Sequence, residues 1–295
     1  MRSESSGTHT VSVNYLAKIP FGPLGDFIER LWLLSDAPPH PKERIVPSGT
    51  LELVINLHEN ELRIYDPRAC GGCADTAQPE RCKRFSGAVV SGTHSGSFVI
   101  DTREHASVIG VHFRPGGAFP FLGTEAGELA DTHVDLETLW GASAVELRER
   151  LCAAFAPTER FSLLEKALAA HLFRPMERHH AVRFALHAFE GAEPGLPVRE
   201  VAHEAGLSQR RFIQLFAREV GMSPKLFCRV QRFQQTLKSL RQTIAPNWAQ
   251  LALEHGYYDQ SHLIHDFQLF ADLSPTEYVR QRSDRVMQNH VPVVE

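Results

Sequence analysis

An α+β chain is what this sequence predicts: a strand-rich front half with a helical annex, then an all-α unit made of a duplicated helix-turn-helix. Three observations predict it. Short apolar runs of strand character, separated by Gly, Pro and Asp clusters, fill residues 51–113. After FRPGGAFPFL (113–122) the apolar spacing lengthens to three and four residues. GLSQRRFIQLFAREVGMSP (206–224) is then written again, with changes, as GYYDQSHLIHDFQLFADLSP (256–275).

The front half is expected over residues 10–174. LELVINL (51–57), ELRIY (61–65), AVVSG (88–92), SFVI (97–100) and ASVIGVHF (106–113) are its strand runs. Ala142–Phe155 and Arg160–Leu172 carry apolar residues on one helical face and form the annex. EGAEPGLP (190–197) breaks the helical pattern as a loop.

The helical unit is expected over residues 175–285. Ala202 and Gly206 align with Ala252 and Gly256, and Phe212, Phe216, Ser223 and Pro224 with Leu263, Phe267, Ser274 and Pro275. Each copy reads as a leading helix, a Gly-containing turn, a second helix and a Ser-Pro stop. Val198–Glu204 leads in the first copy, and Ser208 caps a second helix burying Phe212, Leu215 and Phe216. Trp248–Leu253 leads in the second, and Asp259 caps a helix burying Leu263, Phe267 and Phe270. Between them Pro224–Arg241 has no Gly and no further Pro, and one continuous helix follows. At ~1.5 Å per residue it can hold the two units about one duplex turn apart.

Composition sets the outer limits. With 295 residues the chain can bury two cores, and 43% hydrophobic with 22% charged residues fits a soluble globular protein. No apolar run approaches the roughly 18 residues of a membrane span, and MRSESSGTHT lacks an export pattern, so a cytoplasmic protein without a membrane partner is expected. The net charge of −4 hides a contrast. Between Ser208 and Arg241, Arg210, Arg211, Arg218, Lys225, Arg229, Arg232, Lys238 and Arg241 face only Glu219. From residue 242 to 284 acids dominate, among them Asp259, Asp266 and Asp272.

A basic first copy suits double-stranded DNA. Arg210 and Gln214 lie four apart on an exposed face, where they can pair with guanine and adenine edges, with Gln209 and Ile213 beside them. Ser208, Arg211, Lys225, Arg229 and Lys238 are candidate phosphate contacts. The second copy offers Gln260, Ser261, His262 and His265 beside Asp259 and Asp266, from which weaker base contacts are expected, with RNA polymerase a candidate partner of its acidic face.

The front half offers less. Trp32, Glu52, Asn56, His112 and Arg114 are effector-pocket candidates near strand patterns, and Arg114 sits before a Pro-Gly-Gly turn. CGGCADTAQPERC places Cys70, Cys73 and Cys82 at a spacing zinc or a redox pair can use, but a fourth ligand is missing nearby and an exposed hairpin is the simpler reading. The odd total of five cysteines suggests reduced thiols. No constellation for catalysis occurs and no cofactor is expected. The competing reading is an enzymatic, metal-sensing or redox-sensing front half fused to a DNA-localising unit.

VREVAHEAGLSQRRFIQLFAREVGMSP (198–224), Arg232 and WAQLALEHGYYDQSHLIHDFQLFADLSPTEY (248–278) together resemble the AraC/XylS family of bacterial transcription regulators. The resemblance covers about residues 180–282 and implies two helix-turn-helix units on one long helix. It implies that Arg210, Ile213, Gln214, Ser261, His262 and His265 face bases. Departures are Asp272 where the family has Gly and Thr236 where it has Ala. RIVPSGTLELVINL (44–57) and GVHFRPGGAFPFLG (110–123) resemble the front domain of one AraC-type subgroup, which implies effector sensing by a small molecule or pairing with a second copy.

Overall fold

The computed structural model describes residues 14–35, 42–65, 82–101, 106–190, 197–241, 245–282 and 289–293. Among the described residues the front half holds ten strands: β1 (Asn14–Lys18), β2 (Ile28–Ser35), β3 (Glu43–Ile45), β4 (Glu52–Asn56), β5 (Glu61–Tyr65), β6 (Cys82–Ser86), β7 (Ala88–Ser91), β8 (Phe98–Ile100), β9 (Ser107–Phe113) and β10 (His133–Asp135). Three helices follow, α1 (Leu136–Trp140), α2 (Ala142–Ala153) and α3 (Pro157–Ala170). One antiparallel sheet runs β1-β2-β9-β4-β7-β10. Alternation places Leu31, Leu33, Leu53, Ile55, Ile109, Val111 and Phe113 on one face of it, against Leu147 and Leu151 of α2 and Leu164 and Leu168 of α3. Each such side chain contributes roughly 1.5–3 kcal/mol by leaving water. The annex is therefore the lid of one sheet face.

The helical unit comprises α4 (His180–Glu190), α5 (Val198–Glu204), α6 (Gln209–Val220), α7 (Pro224–Leu240), α8 (Trp248–Glu254), α9 (Gln260–Ala271) and α10 (Pro275–Gln281). Side chains of Ser208, Ser223, Asn247, Asp259 and Ser274 accept the first-turn amides of α6, α7, α8, α9 and α10. Each cap supplies about 1 kcal/mol and fixes where its helix begins. The aromatic core gathers on α7: Phe227 meets Phe216 and Phe189, whereas Phe233 meets Phe267 and Phe270. The long helix thus carries one helix-turn-helix on each half of its length. Asp272 ends α9 in the left-handed region at φ 51°, a conformation Asp adopts more readily than most residues, and Gly221 ends α6 at φ 95°.

A final strand, β11 (His290–Pro292), pairs not within the helical unit but with β3, completing a second sheet of order β11-β3-β8-β5-β6. Val291 and Val46, carried on these paired edges, are both buried in the core of the helical unit. Gln234 Nε2 donates to Pro47 O at 2.5 Å and Gln231 Nε2 to Ser48 O at 3.2 Å, tying α7 to the front half. No helix among the described residues is long and apolar enough to cross a membrane.

Candidate functional site

The first reading helix is α6. Its buried side is Phe212, Leu215, Phe216, Glu219 and Val220, and its opposite side leaves Gln209, Arg210, Arg211 and Gln214 exposed with Ile213 half-buried. Spacing of three and four places the apolar residues inward, so Arg210 and Gln214 share the outer face. At the far end, the turn Ala126–Leu129 of the front half abuts the last turn of α6, where a Cβ on Gly127 would lie 3.0 Å from Ala217 O.

The second reading helix, α9, exposes Gln260, Ser261, Ile264, His265 and Gln268, while His262 is half-buried, its ring set edge-on to Tyr257. The expected acidic face loses one of its carboxylates to the interior. Asp266 is fully buried, with Oδ1 2.6 Å from Arg229 Nη2 and Oδ2 3.6 Å from Arg232 Nη2. Asp259 caps α9 by accepting His262 N at 2.8 Å, and Asp272 accepts Ser97 Oγ at 2.7 Å. Asp266 is thus withdrawn from the surface, while Asp259 stays exposed at the start of α9 and Asp272 half-buried at its end. The signal was available: Asp266 falls three after Leu263 and four before Phe270, on the buried stripe.

The same pairing corrects the expectation for Arg229. Its guanidinium is held by Asp266 rather than offered to a phosphate. Lys238 is exposed and stands on the wall of a cavity between the two halves. Arg211 and Lys225 remain exposed, and the Ser208 hydroxyl is occupied as the cap of α6.

That cavity, of about 630 Å³, brings Trp32, Glu52, His112 and Arg114 together on the front-half side, with Gln231, Gln234 and Lys238 of α7 opposite. Asn56 is not among them; it is buried and its Oδ1 accepts the amides of His58 and Glu59, closing a turn. Glu52 lies across from His112 in the β4–β9 register, on the sheet face away from the annex, and accepts Trp32 Nε1 at 2.8 Å. Opposite Trp32 stands Gly110, where a Cβ would lie 2.4 Å from the indole, so the ring can lie flat only because that residue has no side chain. Burial would raise the Glu52 carboxyl, but hydrogen bonding and charge from His112, the charge of His290 and the indole hydrogen bond bring it below its ordinary value. Arg114 Nε donates to Gly25 O at 2.9 Å.

At the cavity wall, the His94 ring lies tilted against that of His133, centroids 4.7 Å apart, with Phe98 and Phe85 around them. Burial pushes His94 down to about 4 and, with the charges of His94 and Lys83, His133 down to about 3. The folded form thus refuses protons that the unfolded chain binds below about pH 6.5. Stability is full above that pH and falls as pH drops toward 4, by up to about 1.4 kcal/mol per unit for each imidazole. His133→Phe should flatten this acid limb in melting curves taken from pH 7 to 4; an unaltered slope would contradict the assignment.

Cys70 and Cys73 lie outside the described residues. Cys82 sits in β6, Cys152 and Cys228 are free thiols, and burial pushes Cys228 up to about 11. Among the described residues no three His, Cys, Asp or Glu side chains gather as a metal site.

Two family models match separate parts of the chain. Residues 201–281 match the family model of a helix-turn-helix domain, and residues 18–135 match a domain of unknown function, DUF6597. An uncharacterised HTH-type transcriptional regulator of Haemophilus influenzae is 33% identical over 81 residues, which is 28% of this chain and 27% of that protein. Among solved structures, an AraC-type transcriptional regulator of Chromobacterium violaceum is 22% identical at a TM-score of 0.32, covering 35% of this chain and 93% of that one. Unsaturated fatty acid bound ToxT of Vibrio cholerae is 9% identical at a TM-score of 0.43, covering 95% and 97%. Likeness at this level does not say which residues act here.

Proposed function

We propose that this chain, whose residues 201–281 are a helix-turn-helix domain of the AraC type, is a sequence-specific DNA-binding transcription regulator controlled by a small molecule held in its front half. One observation carries the reading. Two helix-turn-helix units sit on one 17-residue helix, each burying its apolar stripe and leaving polar, hydrogen-bonding side chains outward. At about 26 Å, α7 is long enough to carry the two units on the scale of one duplex turn, roughly 34 Å.

Roles follow from placement. Arg210 and Gln214 of α6 read base edges with Gln209 and Ile213, and Gln260, Ser261, His262 and His265 of α9 read the neighbouring window. Arg211 and Lys225, with the end of α6 capped by Ser208, meet phosphates. An effector enters the cavity between Trp32, Glu52, His112 and Arg114 and the α7 residues Gln231, Gln234 and Lys238; by touching both halves it can bias their placement. RNA polymerase and a second copy of the chain are further partners of such a regulator.

Selection from random duplexes with the full chain tests the reading. A defined sequence should be enriched, and Arg210→Ala should cost about 1–3 kcal/mol on it while relaxing one base preference. Lys225→Ala should weaken selected and random duplexes alike and reduce the salt dependence by about one charge. Equal losses on both duplexes from Arg210→Ala would falsify the base-reading role.

A further inference from the structure

The last carbonyls of a helix have no partner within it and must be met from outside. For both reading helices the front half supplies that partner. Thr93 Oγ1 donates to the carbonyl of Gly221, the residue ending α6, at 2.7 Å. Arg44 Nη1 donates to Ala271 O of α9 at 2.7 Å, and Ser97 Oγ to the carboxylate of Asp272, the residue ending α9, at 2.7 Å. Thr93 and Ser97 are four residues apart on one segment joining β7 to β8, a stretch of at most about 14 Å.

The segment is itself braced. Asp131 N donates to Thr93 O at 2.8 Å, and the Asp131 carboxylate accepts Ser95 N at 2.6 Å and Ser95 Oγ at 2.8 Å. Thr93 is buried, so its hydroxyl has exchanged water for Gly221 alone. A buried donor with one acceptor makes the contact specific in direction as well as distance. The helix α7 fixes how far apart the two units stand but constrains rotation about its own axis less. A second tie at both carboxy-terminal ends removes that freedom.

We propose that Thr93, Ser97 and Arg44 are positioning residues for DNA reading: the segment 93–97, with β3, holds the two reading helices in one relative placement and so sets the spacing of windows the protein accepts. The inference rests on the DNA-reading function above. It assigns to the front half a share in specificity that needs no bound effector.

The test uses the full chain and the duplex enriched by the wild type, the same duplex with one base pair inserted or removed between the two windows, and the duplex with the second window scrambled. The wild type should lose at least about tenfold in affinity on insertion or removal. Thr93→Val/Ser97→Ala should bind the scrambled duplex as the wild type does yet lose less than about threefold on changing the spacing, and Thr93→Ser should restore the strict spacing because it keeps the hydroxyl. Should the double variant fail to fold, Ser97→Ala alone, which removes a single buried hydroxyl, is read on the same three duplexes. Spacing penalties equal to the wild type's in the variants that fold overturn the proposal, as does a wild type that tolerates both spacings. A wild type that enriches no sequence overturns the DNA-reading function first and this inference with it.

Discussion

Asp266→Ala should lower stability by about 3–5 kcal/mol, measured by urea denaturation of the full chain. The carboxylate is fully buried and sits between Arg229 of α7, at 2.6 Å, and Arg232, at 3.6 Å. Removing it strands a guanidinium that is largely withdrawn from water, and breaking one side of a buried pair costs far more than the pair itself contributes. Arg232 keeps Gly256 O at 3.0 Å and the Tyr257 ring at 4.5 Å, so Arg229 bears most of the loss. Arg229→Met/Asp266→Leu should therefore be less damaging than Asp266→Ala alone. A loss under about 1 kcal/mol for the single variant would mean that water reaches the pair and that Arg229 is after all available to a phosphate.

Phe233→Ala should be of similar size, about 3–5 kcal/mol, for a different reason. The ring is fully buried at the middle of α7, 5.0 Å from Phe267 and 5.3 Å from Phe270. Its removal opens a void among residues that belong to the second helix-turn-helix, where close-packed neighbours relax only in part. Binding to the enriched duplex should weaken with it, and the base preferences contributed by α9 should blur before those of α6, because Phe216 and Phe227 still hold α6. Retention of full preference in the second window with the expected loss of stability would separate packing from placement.

Much of this architecture is legible along the chain because the signals are local. The strand at 61–65, the helix 198–204, the caps Ser208 and Asp259 and the buried face of α7 are each specified by residues a few positions apart. Asp272 in the left-handed region was readable too, since Gly stands at the matching point of the first copy. What escaped depends on distant partners. Arg229 looks like any basic helix residue until Asp266, 37 positions on, is folded against it. Trp32, Glu52, His112 and Arg114 share a wall because β2, β4 and β9 are neighbours, an order that no run of residues encodes. Asn56 carries the same strand signature as Glu52 yet closes a turn, because the chain reverses beyond it. Thr93 lies between two strand runs and Ser97 opens the second, and neither carries a local sign of a partner 128 or 175 positions on.

The pairing of β11 with β3 bears on how the chain is made. Residues 43–45 emerge from the ribosome early, while their neighbour at 290–292 emerges only after the entire helical unit. The second sheet therefore stays one strand short, and Val46 without its companion Val291, through most of synthesis. Closure of that sheet is thereby deferred until the reading apparatus has been produced.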